Sequence, residues 1–114
     1  MSRVVKVWIL LAFTMAAACE RGAAVGRSTD GAKIFESVCA TCHGVDGKPT
    51  AAMAARLNVR DLTSAEFRAR ATPALVEAQV RNGSKNKLMP AFGGAISEEQ
   101  IKAVSAYVAS PSFP

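Results

Sequence analysis

At 114 residues, half of them apolar and 20% charged, the chain has the length of one small domain. Its formal net charge of +5 comes without a long Lys/Arg block or interleaved aromatics, which argues against a nucleic-acid surface. Three cysteines and one histidine bound the metal and redox chemistry it can perform.

In chain order, residues 1–18 read as an export signal. Arg3 and Lys6 form the positive start, Val7 to Phe13 the apolar middle, and Ala16-Ala17-Ala18 the small-residue cleavage zone. The apolar stretch Val7 to Ala18 is 12 residues, against about 20 for a helix that spans a bilayer. A leader that is removed would direct the protein to the periplasm. Cys19 is the odd cysteine, and Met15-Ala16-Ala17-Ala18-Cys19 resembles the lipobox of bacterial lipoproteins, so lipid on Cys19 would anchor the protein to the membrane. The alternative is a soluble form cleaved after Ala18 or Ala24. Residues 19–30 are small, polar and aperiodic, and are expected to form a flexible tether. The folded unit is expected over 31–114, about 85 residues, a size whose core gains from a staple, metal or cofactor.

Helix signals dominate this unit and no convincing strand pattern occurs. Asp30 can cap a helix from Gly31 through Val38 that delivers the chain to Cys39. Thr63-Ser64-Ala65-Glu66 reads as a capping box, with Leu62 and Phe67 as its hydrophobic staple, for a short helix ending near Arg70. Thr72-Pro73 opens a third helix, closed by Asn82-Gly83. Ser97-Glu98-Glu99-Gln100 is a second capping box; Ile101, Val104 and Val108 follow at helical spacing, with Tyr107 alongside. The stretches 44–61 and 84–95 are expected to be irregular. Both are long for plain connections, and are taken to wrap around an object that is not part of the chain.

The object is suggested by Cys39-Ala40-Thr41-Cys42-His43. A thioredoxin-like redox pair would need a βαβ pattern that is not there. A structural zinc needs four ligands, and after Cys39, Cys42 and His43 only a carboxylate such as Asp46 could complete the set. Covalent attachment of one haem c fits best, with thioethers to Cys39 and Cys42 and His43 placed next in the chain to ligate the iron. No second histidine is present, so a methionine is the obvious other axial ligand, and such ligation raises the reduction potential. Met1 and Met15 lie in the leader. Met53 sits in alanine-rich AAMAA and reads as packing, whereas Met89, followed by Pro90, lies in the second wrapping stretch and is the favoured ligand.

GAKIFESVCATCHG, VRNG, LMPAFGG and ISEEQIKAVSAYVAS occur in the order seen in class I c-type cytochromes, and the chain from Gly31 onward resembles the small bacterial monohaem members. The resemblance implies an all-α cytochrome c fold, with about four short helices wrapped around one covalently attached haem. The first and last helices should cross, with Gly31 and Phe35 meeting Val104 and Tyr107. It also implies a proline carbonyl on the proximal imidazole, for which Pro49 is the candidate. Many relatives carry a tryptophan near the propionates; here the only one, Trp8, is in the leader, leaving Arg56, Asn58 and Arg60 as candidates. The implied function is single-electron transfer between redox partners, not catalysis by the chain itself. A haem-bearing subunit of a larger periplasmic oxidoreductase complex is the alternative. The loop carrying Met89 should border the exposed haem edge, so Arg81, Lys85 and Lys87 would give partners a positive docking face.

Overall fold

The computed structural model describes residues 25–114, so the leader and Cys19 lie outside the described residues. Among these residues every regular element is helical, as expected. The first is a composite. Asp30 caps α1 (Gly31–Ile34) by accepting from the Ala32 and Lys33 N–H groups at 3.0 and 3.3 Å. A π-helical turn (Phe35–Cys39) follows, in which the Ala40 N–H reaches the Phe35 carbonyl, and α2 (Ala40–His43) completes the stretch at Gly44. The helix therefore runs on past Cys39 and carries the whole CATCH motif. One residue inserted into a helix turns everything beyond it by about 100°, so the π turn decides which way the two thiols face.

Residues 44–61 are not wholly irregular. Ala51–Leu57 form α3, capped by the Thr50 hydroxyl, which accepts from the Met53 N–H at 3.2 Å. Alanine is the best helix former, but AAMAA has no polar–apolar rhythm to show it. The next helix, α4 (Ala65–Arg70), is capped by Ser64 rather than Thr63. The Thr63 hydroxyl is engaged elsewhere, donating to Asp61 Oδ1 at 2.6 Å. Glu66 turns to Arg70 instead of closing a capping box. The remaining two helices start as their sequences predict. Thr72 caps α5 (Pro73–Asn82). Ser97 and Gln100 cap α6 (Glu98–Ala109) reciprocally, at 3.1 and 3.0 Å.

Both α1 and α5 pack on α6. Ile34, Phe35, Val76, Val80, Ile101, Val104 and Val108 form the buried centre, with Leu62, Phe67 and Phe113 closing its margin. The expected crossing of first and last helices is present. Gly31 lies against Ala103 and Tyr107 of α6, so closely that a Cβ on it would fall 2.7 Å from Tyr107 Cβ and nearer still to the Ala103 carbonyl oxygen. The Phe35, Tyr107 and Phe113 rings pack together at centroid distances of 5.2 to 5.8 Å. Arg68 locks the end of α6, donating to the Val108 and Ser110 carbonyls at 2.6 and 2.7 Å while its guanidinium lies over Phe113. These carbonyls lie at a helix C-terminus, where a cation is favoured twice, by hydrogen bonding and by the helix dipole.

The tether expected over 19–30 is packed from Val25 onward. Val25 rests on the core, and the buried Gln100 amide donates to the Gly26 and Ser28 carbonyls at 2.9 and 3.0 Å. A glutamine that also helps cap α6 thus holds the entry of the chain.

Candidate functional site

Cys39 ends the π turn, Cys42 lies three residues on in α2, and both are free thiols at half-buried positions. Burial pushes the Cys39 thiol up to about 11, with nearby Cys42 adding to the effect. His43 closes α2. Burial lowers its basicity, opposed by a hydrogen bond from Nδ1 to the Arg60 carbonyl at 3.2 Å. A carbonyl can only accept, so the proton sits on Nδ1 and the Nε2 lone pair is left free for a metal.

The partner is not Pro49, as the resemblance suggests, but the backbone of Arg60. Its position is secured by the next three residues. Asp61 Oδ1 accepts from both the hydroxyl and the N–H of Thr63, at 2.6 and 2.8 Å, and these bonds hold its carboxyl below the usual range. The Leu62 N–H donates to the Gly47 carbonyl at 2.9 Å, tying this turn to the loop that follows His43. A backbone acceptor leaves no residue signature. The available signal was the Asp61-x-Thr63 spacing of an Asx turn.

Met89 lies in the segment between α5 and α6, half-buried and packed against the core. Met53 sits on α3, also half-buried. Of the propionate candidates, Arg56 and Asn58 are exposed; the Arg60 side chain lies 3.9 Å from Glu66. Arg81 is not a free cation. It pairs with Glu98 at 2.7 Å and with Glu77 at 3.7 Å, leaving the exposed Lys85 and Lys87 as the positive groups of this region.

Among the described residues no three His, Cys, Asp or Glu side chains come together as a metal cage. Neither α2 nor α3 buries a residue in the protein. A helix in a small domain is ordinarily held by burying one face, so the elements bearing Cys42, His43 and Met53 have room for another apolar surface. An imidazole with Nε2 free and a thioether are borderline and soft donors suited to iron in a porphyrin, and the two thiols can join the porphyrin itself as thioethers. The residues fit haem c.

The family described as cytochrome c oxidase, cbb3-type, subunit III, matches residues 26–108. The chain belongs to the c-type cytochromes. A cytochrome c6 of Synechococcus sp. is 41% identical over 83 residues, which cover 73% of this chain and 69% of that protein. A cytochrome c6 of Microcystis aeruginosa is 42% identical over 79 residues, covering 69% and 90%. The cbb3-type cytochrome c oxidase subunit FixP of Azorhizobium caulinodans is 36% identical over 78 residues, 68% of this chain but only 25% of that one. Among solved structures, the KustC0563 c-type cytochrome superposes with a TM-score of 0.62 at 32% identity, covering 70% of this chain and 94% of that one. The cytochrome is therefore a small class I, electron-transferring protein with covalently bound haem c.

Proposed function

We propose that this cytochrome is a monohaem electron carrier. Cys39 and Cys42 would hold the haem through thioethers, and His43 Nε2 and the Met89 sulfur would ligate its iron. The observation that carries this reading is the His43–Arg60 hydrogen bond, which fixes the tautomer and leaves Nε2 free on the residue that follows the second of two unpaired thiols. Bound haem c supplies a one-electron couple. The chain's own part is to orient the imidazole through Arg60, to close off the second axial position with Met89, and to raise the potential by that choice of ligands. With both positions taken by protein, no substrate site is left on the iron.

Met89→Ala is expected to abolish the sulfur-to-iron charge-transfer band of the ferric protein, to lower the reduction potential, and to speed cyanide binding by an order of magnitude or more. Met53→Ala should change none of these. Visible spectroscopy, spectroelectrochemistry and stopped-flow mixing read all three, and the reverse pattern would make Met53 the ligand.

The leader and Cys19 support export to the periplasm with a lipid anchor. Lys85 and Lys87 then form the positive part of the docking face for an acidic redox partner. Transfer to that partner should slow as salt rises, since the Debye length falls from about 30 Å at 0.01 M to about 10 Å at 0.1 M. In the Lys85→Glu/Lys87→Glu variant this dependence should flatten while the potential holds; a wild-type rate indifferent to ionic strength would remove the role. The match to an oxidase subunit family favours one second reading, a haem subunit docked permanently in a larger complex. Native electrophoresis of solubilised membranes separates the two, by whether the haem migrates at the size of the chain or of an assembly.

A further inference from the structure

The segment 84–89 is closed on itself through the backbone and side chain of Ser84, with the Asn86 side chain in support. The Ser84 N–H donates to the Met89 carbonyl at 3.0 Å, and the Met89 N–H donates back to Ser84 Oγ, also at 3.0 Å. Both backbone groups of Met89 are thus held by one residue. Ser84 Oγ in turn donates to Asn86 Oδ1 at 2.6 Å, the same oxygen that accepts from the Leu88 N–H at 3.1 Å. The Lys87 N–H completes the ring on the Ser84 carbonyl at 3.0 Å. Closing so short a ring forces Lys87 to φ 61, a left-handed conformation that a lysine adopts only when its surroundings impose it.

Around this ring the chain is pinned on both sides. Gly83 stands at φ 70, and a Cβ there would fall 2.6 Å from the Met89 carbonyl oxygen and 2.8 Å from the Ala91 nitrogen. Beyond Met89, the Phe92 N–H reaches the Val80 carbonyl at 2.9 Å, and the Gly93 N–H reaches the Arg81 carbonyl at 3.2 Å. These bonds tie the far end of the loop to α5. They leave Ser84 as the contact that sets the backbone of Met89 itself. A thioether is a weak donor, and how long it stays on iron depends on how little its backbone must be ordered to bring it there.

We propose that Ser84 is a positioning residue for the iron ligand: by holding both the N–H and the C=O of Met89, it sets how often the sulfur leaves the iron. The proposal rests on Met89 being the axial ligand. Asn86 supports it by orienting the Ser84 hydroxyl, so that the hydroxyl lone pair faces the Met89 N–H. The geometry belongs to the loop alone, and a change at Ser84 acts on the iron only through Met89.

The test uses the ferric holoprotein and imidazole as the incoming ligand, with the replacement rate followed by stopped flow. Ser84→Ala is expected to speed replacement about tenfold, as loss of one hydrogen bond to a half-buried N–H would give, and to weaken the charge-transfer band. Ser84→Thr keeps the oxygen and should return the rate to within about twofold of wild type, while Asn86→Ala should fall between. Urea midpoints of the same variants separate this role from a structural one, since a loop that only stabilises the fold would lower the midpoint with no change in rate or band. Met89→Ala runs beside them. A wild-type rate in Ser84→Ala beside a fast Met89→Ala would overturn the role of Ser84 alone. A Met89→Ala protein indistinguishable from wild type would overturn the ligand assignment, and the role of Ser84 with it.

Discussion

Replacing both Cys39 and Cys42 with alanine should leave a chain that carries no haem through acid–acetone extraction and unfolds far below the wild type. α2 and α3 bury no residue fully in the protein, so a haem lying against them would add apolar contact that the protein does not supply. Covalent attachment keeps the haem on the chain, and the pair of thioethers closes a four-residue loop through the porphyrin, worth about 2 kcal/mol if it acts as a disulfide does. Losing the haem and its apolar surface adds to this, in a domain whose whole stability is about 5–15 kcal/mol. Each single variant should keep one thioether and lose part of this. Mass spectrometry reads the haem addition on the peptide containing both cysteines, and thermal denaturation reads the stability. A double variant that retains haem through extraction, or an unmodified wild-type peptide closed by a disulfide, would sink the attachment assignment.

A second large effect is expected at the helix crossing. Gly31→Val places a branched side chain where even a single Cβ falls 2.7 Å from Tyr107 Cβ and closer to the Ala103 carbonyl. The backbone of α6 cannot give way cheaply, because Gln100 and Arg68 fix it near both ends. Overpacking of this kind costs about 3 kcal/mol, and for a domain of this length each kcal/mol lowers Tm by about 4–8 °C. A fall of more than about 12 °C is therefore expected, with Gly31→Ala between it and the wild type. The sign for alanine is informative, since helix propensity alone favours Ala over Gly by up to about 1 kcal/mol. Calorimetry on the holoprotein showing Gly31→Ala as stable as wild type would mean that the crossing has slack.

How much of this was legible in the sequence depended on where each contact's partner lies. Thr72, Pro73 and Gly83, or Ser97 with Gln100, bound their helices through neighbours a few positions away, and their spacing gave both elements at the right ends. The CATCH motif was legible for the same reason. The choice between Thr63 and Ser64 was not, because two adjacent hydroxyls compete and Asp61, upstream of both, takes the first. α3 was missed because alanine supports a helix without marking a face. The resemblance implies a proline carbonyl on His43, and Pro49 is the proline that follows it; the acceptor is instead the Arg60 carbonyl, 17 positions beyond the histidine, a backbone oxygen that any residue could offer. The expected docking face combines the place of the Met89 loop in the resemblance with the charges along it, and sequence spacing does not show that Glu77 and Glu98 pair with Arg81.

The reach of Gln100 back to Gly26 spans 74 positions and has a consequence for the order in which the domain assembles. Closing so large a loop is an entropic cost met late in folding. Both α1 and α5 pack on α6, so the two halves of the chain have no common surface until the last helix docks. The keystone of the fold is its C-terminal helix, and a chain shortened at that end loses the surface on which both other packed helices rest.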